Sequence, residues 1–253
     1  MPKISIITVS YNAAETIGDC LESVASQTER VEHILIDGGS TDNTLLIAEG
    51  APYTLSALVS EPDNGVYDAM NKGIRIASGD IIGILNADDI YYDKESLARV
   101  AEAFESSDAD VCYADLVYVE QHDIGRVTRY WKSGSFAPGK FYSGWMPPHP
   151  TFFVRRALYE KYGLFRLDLG SAADYELMLR LLVKHRAKAA YIPELLVRMR
   201  AGGVSNSSLY SRLAANRMDR RAWEVNGLRP YPWTLFMKPV RKLGQWFMRP
   251  PSR

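Results

Sequence analysis

The chain has 253 residues, of which 47% are hydrophobic and 24% are charged, and these values are ordinary for a globular protein. They exclude a disordered chain, a collagen-like repeat and a small disulfide scaffold. Thirty basic residues balance thirty acidic ones, which argues against a nucleic-acid-binding protein because such proteins usually carry a basic excess.

Cysteine usage and hydropathy favour a cytoplasmic protein. Cys20 and Cys112 are the only cysteines and lie far apart in the chain, so we expect a reducing compartment rather than a disulfide framework. No segment approaches the roughly 20 apolar residues that span a bilayer. The short apolar run near the N-terminus is predicted to be a strand rather than a signal peptide.

The first half of the chain alternates between strand and helix patterns. Residues 4–9 form a β-branched apolar run typical of a buried parallel strand. Asn12 and Glu15 resemble a capping box, and apolar residues at helical spacing follow them. Further strands are predicted at 33–36, 53–59 and 81–85, each followed by a helix, and these helices end near residues 49, 77 and 104. This order implies a mostly parallel sheet with helices on its faces.

The order changes after about residue 110. Strand patterns follow at 111–113, 116–119, 127–130 and 190–192, and a loop rich in glycine, proline and aromatic residues covers 133–150. Helices are predicted at 155–162 and 173–184. From about residue 209 a helix leads into a basic tail.

Each of the first four predicted strands ends in polar residues. Ligands bind beyond the carboxyl ends of the strands in open parallel sheets, and neighbouring strands lie ~4.8 Å apart. We therefore expect these ends to converge on one ligand. The adjacent acids Asp88 and Asp89 repel each other unless a cation or hydrogen-bond donors are present, and a hard divalent ion suits oxygen ligands. Asp37 has the alternative role of a turn former.

The ordered set of motifs resembles a family 2 glycosyltransferase of the GT-A fold, most closely the bacterial members that build surface polysaccharides. The matching segments are IITVSYN at 6–12, IDGGSTD at 36–42, SEPDNGVYDAMNKG at 60–73, GDII at 79–82, LNADD at 85–89 and ADYE at 173–176. The resemblance implies an α/β, Rossmann-like, mostly parallel central sheet flanked by helices over residues 1–205. Its donor half covers about 1–110 and its acceptor half about 111–205, and a C-terminal helical, basic-aromatic extension covers 206–253.

The resemblance also implies which residues bind the nucleotide-sugar donor. In relatives the segment 8–12 holds the base and ribose, and Asp37 accepts a hydrogen bond from a base N–H. Lys72 either offsets diphosphate charge or is a solvated helix lysine. The full set of expected donor residues is Thr8, Val9, Ser10, Tyr11, Asn12, Asp37, Gly38, Ser40, Asp63, Lys72, Asn86, Ala87 and Asp88.

A metal site is implied at the same edge. Asn86-Ala87-Asp88 occupies the family's D-x-D position, so Asp88 is the expected ligand of Mn²⁺ or Mg²⁺, with Asp89 supporting it as a metal residue. The first acid of the motif is asparagine here. Asn86 can bond a ribose hydroxyl or a metal-bound water, but it contributes no charge.

Asp174 matches the catalytic base of inverting relatives, which takes the proton from the acceptor hydroxyl while that oxygen attacks the anomeric carbon. The usual Glu before it is Ala173, and an N-cap of the following helix is the alternative role. His149 and Tyr175 are the expected acceptor residues, although a lone histidine is often structural. Residues 198–205 resemble a loop that closes over the donor, with a plain loop as the alternative.

The C-terminal tail mixes basic residues with tryptophan and phenylalanine, which suits an anionic membrane surface. A tail packed on the domain or disordered in solution is the alternative. We expect a cytoplasmic protein with a peripheral position at the inner face of the cytoplasmic membrane, and no nucleic-acid partner.

The sequence therefore predicts an inverting, metal-dependent glycosyltransferase of the hexosyltransferase type in bacterial polysaccharide biosynthesis. It transfers a sugar from a nucleotide-sugar, with UDP-sugar as the default, to a glycan or polyprenyl-diphosphate-linked acceptor. Two alternatives stay open at this point. One is a non-catalytic nucleotide-sugar-binding protein on a degenerate GT-A fold, and the other is a sugar nucleotidyltransferase.

Overall fold

The computed structural model describes residues 2–202, 209–246 and 248–250. Its strands are β1 (Ile4–Ser10), β2 (Val31–Asp37), β3 (Ala57–Ser60), β4 (Ile81–Asn86), β5 (Asp89–Tyr91), β6 (Val111–Val119), β7 (Val127–Trp131), β8 (Phe153–Arg155) and β9 (Ala189–Arg200). Its α-helices are α1 (Ile17–Ala25), α2 (Thr44–Glu49), α3 (Val66–Ile76), α4 (Ser96–Glu105), α5 (Arg156–Tyr162), α6 (Ala173–Met178), α7 (Leu209–Val225) and α8 (Thr234–Leu243).

All the strands join one mixed sheet in the order β3-β2-β1-β4-β8-β6-β9-β5, with β7 paired to β6. The first four strands are mutually parallel where they pair. Their register sets Ser10 beside Asp37, Asp37 beside Ser60, and Val9 beside Asn86. The polar residues that follow these strands therefore meet at one edge of the sheet, because parallel strands share the same carboxyl-end edge.

The strand and helix alternation predicted for the first half of the chain is confirmed, although β3 begins at Ala57 rather than at residue 53, and α1 and the strands after residue 110 also differ from the prediction. The helix α1 begins at Ile17, not at the predicted capping box, because Asn12 has a left-handed φ of 49° and its side chain accepts a hydrogen bond from Thr41 N–H instead. The two predicted strands at 111–113 and 116–119 are one strand. They are joined through the buried Asp115, which is stabilised by hydrogen bonds from Tyr130, Tyr191 and Ser133.

A glycine lets helix α3 pack closely on the sheet. A Cβ at Gly73 of α3 would lie 2.3 Å from Ile7 Cγ2 of β1, so a larger residue there would push the helix away from the sheet. Ile7 and Ile36 are buried under this helix together with Met70 and Ile74. This close approach fixes where α3 begins, and so where its first turn meets the edge of the sheet.

The C-terminal helices belong to the same core. Trp223 of α7 is fully buried, and its indole N–H donates to Tyr175 Oη at 2.9 Å. Leu235 of α8 is buried in the same cluster. Within the described part of the chain, no helix is long and apolar enough to cross a bilayer.

Glu32 on β2 holds the opposite edge of the sheet together. Its carboxylate accepts hydrogen bonds from Ser78 N–H at 2.7 Å, which follows α3, and from Lys3 Nζ at 2.9 Å and Ser5 Oγ, which lie at the start of β1. Burial raises the pKa of Glu32, but these hydrogen bonds outweigh it and lower the pKa to about 2. The carboxylate therefore stabilises the folded chain only while it is ionised.

We predict that Glu32→Gln lowers the free energy of unfolding at pH 7 by about 2 kcal/mol, since hydrogen bonds to a charged group are lost. The folded pKa lies below the unfolded value of about 4.3, so the wild-type advantage is complete above that value and falls as the pH drops toward 2. Urea denaturation of both proteins between pH 7 and pH 3 measures the gap. A gap that stays constant over this range would contradict the assignment.

Candidate active site

The loops after β1 and β2 are tied to each other at the carboxyl-end edge of the sheet. Asn12 Oδ1 accepts a hydrogen bond from Thr41 N–H at 2.9 Å, and Asn12 N–H donates to Ser40 Oγ at 2.8 Å. Ser10, Asn12 and Ser40, all expected donor residues, are therefore brought together. Asn12 adopts its left-handed conformation because this arrangement turns its side chain back toward the second loop.

Asp37 lies buried at the centre of this edge and is fully hydrogen-bonded by the chain. Its Oδ2 accepts from Gly39 N–H at 3.0 Å, Ser40 N–H at 2.8 Å and Ser60 Oγ at 2.7 Å, and its Oδ1 accepts from Ser10 Oγ at 2.9 Å and from Ser40 Oγ. Burial raises the pKa of Asp37, but the hydrogen bonds from Ser40, Ser60 and Ser10 outweigh it and the net pKa is lowered.

The direct hydrogen bond from Asp37 to a base, expected from the sequence, does not fit this geometry. A carboxylate has about four acceptor positions, and five donors of the chain already occupy them. Asp37 instead joins the ends of β1, β2 and β3.

The solvent-facing surface beside Asp37 is formed by Tyr11, Gly38 and Asp63. Tyr11 is 65% exposed. A Cβ at Gly38 would lie 2.5 Å from Asp63 Oδ2 and 3.5 Å from the Tyr11 ring, so glycine lets these two side chains approach the loop. Asp63 Oδ1 accepts from Gly65 N–H at 2.8 Å. This edge thus presents an aromatic ring and a carboxylate side by side.

Three expected donor residues offer no exposed side chain. Thr8 is fully buried with its hydroxyl 2.9 Å from His33 Nε2, and Val9 and Ala87 are buried in the core. Any contact of these three residues with the donor would therefore be made by the backbone, and their place in the donor site stays a prediction. Lys72 is ion-paired with Glu61 at 2.9 Å and also donates to Pro62 O, which ties α3 to the preceding loop.

Asp88 and Asp89 differ in accessibility, although they are adjacent. Asp88 is half-buried, and burial raises its pKa. Asp89 is fully buried, its Oδ2 accepts from Asn86 Nδ2 at 3.1 Å, and its Oδ1 has no hydrogen-bond partner among the described residues. Burial, and next the charge of Asp88, raise the pKa of Asp89 well above its usual value.

The oxygen donors at this edge fit a divalent cation that arrives with a diphosphate. Asp88 would supply a carboxylate oxygen to such an ion and Asn86 could bond a metal-bound water, since Mg²⁺-like ions are commonly held by one or two carboxylates plus substrate phosphates. The described residues contain no group of three or more His, Cys, Asp or Glu side chains placed to hold a metal. Asp89 does not fit as a direct ligand because it is sealed behind Asn86, so only Asp88 keeps that role.

Arg200 is a further residue of this edge. It lies at the end of β9, donates to the Asp88 carbonyl at 3.0 Å and is ion-paired with Asp19. Its side chain therefore supports the loop that carries Asp88. Of the expected closing loop 198–205, residues 198–200 belong to β9, and Gly203, Val204 and Ser205 lie outside the described residues. The sequence placed Arg200 in the predicted closing loop but could not show these contacts, because Asp88 and Asp19 lie 112 and 181 positions away.

Asp174 lies in the first turn of α6. The helix begins at Ala173 with Ala172 as its N-cap, so the alternative role of Asp174 as the N-cap is wrong. Its Oδ1 accepts from Tyr175 N–H at 2.7 Å, and the side chain is half-buried. The carboxylate is therefore accessible and fixed to the helix start.

Two aromatic side chains flank Asp174. Burial, and next the charge of Asp174, raise the pKa of Tyr67, which lies in the first turn of α3. Burial lowers the pKa of His149, while the charge of Asp174 opposes this change. The imidazole is edge-on to Phe165 at 6.0 Å, and its buried Nε2 has no hydrogen-bond partner in the described part of the chain. The sequence pointed to His149 but not to Tyr67.

Tyr175 has a structural role, and the expectation that it contacts the acceptor is wrong. It is buried, its hydroxyl accepts from Trp223, and its ring packs on Phe141 at 5.9 Å. Lys238 of α8 lies over the ring with Nζ 3.6 Å from the centroid and is ion-paired with Asp219 at 2.6 Å. Tyr175 therefore links the helix that carries Asp174 to both C-terminal helices.

The chain is similar to known sequences over most of its length. The family model described as Glycosyl transferase family 2 matches residues 5–163. A PGL/p-HBAD biosynthesis glycosyltransferase of Mycobacterium tuberculosis (strain ATCC 25177 / H37Ra) is 36% identical over 184 residues, which cover 71% of this chain and 69% of that protein. An uncharacterized glycosyltransferase of M. tuberculosis (strain ATCC 25618 / H37Rv) is 34% identical over 182 residues, which cover 71% of this chain and 68% of that protein.

Solved structures share the fold. S. aureus TarS 1-349 in complex with UDP superposes with a TM-score of 0.70 at 20% identity. The match covers 96% of this chain and 72% of the TarS chain. Mannosyltransferase PcManGT from Pyrobaculum calidifontis, in complex with GDP-Man and Mn²⁺, superposes with a TM-score of 0.64 at 19% identity. The match covers 94% of this chain and 69% of that protein. The predicted GT-A fold with C-terminal helices is confirmed.

Proposed function

The chain belongs to glycosyl transferase family 2 and is a glycosyltransferase, and we propose that it transfers a sugar with inversion from a UDP-sugar to a lipid-linked glycan acceptor. One observation carries the proposal. The polar ends of β1, β2 and β4 meet at one edge of the sheet, which carries the exposed ring of Tyr11 and the half-buried Asp88.

The donor base lies against Tyr11 and Asp63 in this proposal. An exposed aromatic ring offers a stacking surface for a base, and the Oδ2 atom of Asp63 faces Gly38 beside it. Asp63 thus takes the base-binding role that the sequence assigned to Asp37. UDP is the nucleotide in one related structure and GDP-mannose the donor in another, and we keep UDP as the default.

Asp88 and Asn86 hold the diphosphate end of the donor together with a divalent cation. A bound cation there would neutralise the charge that develops on the leaving diphosphate. Arg200 keeps the Asp88 loop in place through its bond to the Asp88 carbonyl. Asp89, buried behind Asn86, orients the amide side chain through their hydrogen bond.

Asp174 acts as the base. Its carboxylate takes the proton of the acceptor hydroxyl while that oxygen forms a bond to the anomeric carbon, and the bond from this carbon to the diphosphate breaks on the opposite face. The lowered pKa of His149 keeps its imidazole neutral at pH 7, so it competes for no proton there. His149 and Tyr67 border the place where the acceptor hydroxyl approaches.

The acceptor is lipid-linked in this proposal because α8 carries an exposed apolar stripe. Phe236, Val240 and Leu243 are all exposed and follow helical spacing, so they share one face. Trp233 and Trp246 are also exposed at the two ends of this segment. Such a face, next to basic residues, suits an anionic membrane surface. Phe247 and Arg253, which the sequence placed in the same tail, lie outside the described residues.

We predict that Asp88→Ala weakens UDP binding in Mn²⁺ by about tenfold or more, which is about 1.4 kcal/mol per factor of ten, because the protein carboxylate on the cation is lost. Calorimetry of UDP with and without Mn²⁺ measures this loss. The control is Asp108→Ala, an exposed acid at the other edge of the sheet. Equal Mn²⁺-dependent affinity in Asp88→Ala and the wild type would remove the assigned role.

We predict that Asp174→Asn retains UDP affinity and lowers turnover by about 10²–10⁴-fold, the range expected for a lost general base. A screen of nucleotide-sugars for slow hydrolysis in Mn²⁺ supplies the assay, since water then replaces the acceptor. Asp168→Asn, an exposed acid paired with Arg166 in the preceding turn, is the control. Turnover of Asp174→Asn near the wild-type rate would contradict the assignment.

We predict that Phe236→Asp and Leu243→Asp each reduce binding to phosphatidylglycerol-containing vesicles by about tenfold, because burial of one large apolar side chain contributes roughly 1.5–3 kcal/mol. Co-sedimentation measures the bound fraction. Leu46→Asp is the matched control, since Leu46 is as exposed as Phe236 but lies on α2. If all three variants bind like the wild type, α8 is not the membrane face.

A further inference from the structure

A cavity lies between the end of β7, the loop around residues 140–146 and α8. Its volume is about 210 Å³, which is below the roughly 300–1,000 Å³ of pockets that hold drug-sized ligands. It is therefore sized for a small group rather than for a whole sugar nucleotide. Its lining residues are Trp131, Lys132, Ser133, Lys140, Gly144, Trp145, Met146, Lys238, Arg241, Lys242, Gln245 and Met248.

The side chains that line this basic cavity carry a strong excess of positive charge. Five of its lining side chains are lysine or arginine, and none of the lining residues in the described chain is acidic. Lys238 is ion-paired with Asp219, which lies behind the lining. Like charges held close together raise the free energy of the folded chain unless an opposite charge is near, so an anion in the cavity would stabilise the arrangement.

Several of these cations are held in place by the chain. Arg241 Nε donates to Ser143 O at 2.7 Å, and its terminal nitrogen donates to Ser143 Oγ at 2.8 Å. Lys140 Nζ donates to Ser135 O and lies 5.6 Å from the Trp145 ring centre. Lys242 lies 5.8 Å from the Trp131 ring centre. The positive groups are thus positioned before any ligand arrives.

Glycine allows α8 to close this cavity. Gly144 has a left-handed φ of 78°, and a Cβ there would lie 2.5 Å from the backbone nitrogen of Lys238. No larger residue would let the loop and the helix approach so closely. The helix therefore presents two faces with different chemistry. Lys238, Arg241 and Lys242 line the cavity, while Phe236, Val240 and Leu243 face outward on the opposite side of the helix.

The cavity adjoins the proposed base. Lys238, one of its lining residues, lies over the ring of Tyr175, and Tyr175 follows Asp174 directly in α6. The charge of Asp174 also acts on Lys242 of the lining, so an anionic group bound in the cavity would lie near the carboxylate that receives the proton.

From this juxtaposition we propose that the basic cavity binds a phosphate group of the acceptor, the group that joins its glycan to its lipid. This inference rests on the proposed function, because it names a feature of the acceptor for that reaction. The same chemistry is also offered by a phospholipid head group, so the experiment has an arm for each source.

The test uses the full chain saturated with UDP, so that the donor site is occupied, and farnesyl diphosphate as the probe. Farnesol, which has the same chain without phosphate, is the uncharged control. Binding is followed by tryptophan fluorescence, since Trp131 and Trp145 line the cavity. Lys132 and Lys242 are both exposed, so Lys132→Gln/Lys242→Gln removes two charges at little cost to folding. The matched control is Lys94→Gln/Lys184→Gln, two exposed lysines outside the cavity.

We expect the cavity variant to lose affinity for farnesyl diphosphate by about tenfold or more, because two charge-assisted contacts are removed, and the control variant to stay within about twofold of the wild type. Farnesol should bind all three proteins equally. Equal affinity of the wild type and the cavity variant for farnesyl diphosphate would overturn the proposal.

A vesicle arm distinguishes the two sources of phosphate. If the cavity variant loses binding to phosphatidylglycerol vesicles but keeps its affinity for farnesyl diphosphate, the cavity holds lipid head groups and the acceptor proposal is overturned. UDP binding of the wild type is measured separately. Its absence would count against the proposed donor, while the farnesyl diphosphate titration would still report on the cavity.

Discussion

The buried carboxylate of Asp37 is the interaction on which the donor edge depends. It joins the ends of three parallel strands through bonds from Ser10, Ser40 and Ser60. Removing one partner of such a network leaves a buried charge with too few donors. This lowers the free energy of unfolding far more than the loss of an exposed hydrogen bond does. The loops that carry Tyr11 and Asn12, and the glycine that faces Asp63, are held in place by this carboxylate. The groups proposed to bind the donor are therefore residues around Asp37 rather than Asp37 itself.

Most of the fold could be predicted from the sequence because its signals are local. Alternating strand and helix patterns need only neighbouring residues, and they gave the parallel half of the sheet and its polar edge. Burial could not be predicted in the same way. Asp37 is buried by partners 23 and 27 residues away. Asp88 lies in the turn before β5 and is half-buried, whereas Asp89 is the first residue of that strand and is fully buried. The helix period likewise turns Tyr175 into the core and leaves Asp174 accessible.

The C-terminal helices show a second limit of local patterns. A basic segment with tryptophan predicts a surface that meets a membrane, but the same composition does not tell which aromatic residues are buried. In the structure Trp223 is buried on Tyr175, while Phe236 and Leu243 are exposed. One part of the extension thus supports the helix that bears the proposed base, and another part faces solvent. One face of α8 lines the basic cavity, the opposite face carries the apolar stripe, and Lys238 packs on Tyr175 beside Asp174 in α6.

The proposed donor site is tested most directly by a crystal structure of the chain with UDP and Mn²⁺, with the metal located by its anomalous signal. We expect a manganese peak within coordination distance of Asp88, a uracil ring against Tyr11 and Asp63, and an unchanged hydrogen-bond network around Asp37. A nucleotide bound at another edge of the sheet, or a metal peak that does not contact Asp88, would contradict this proposal.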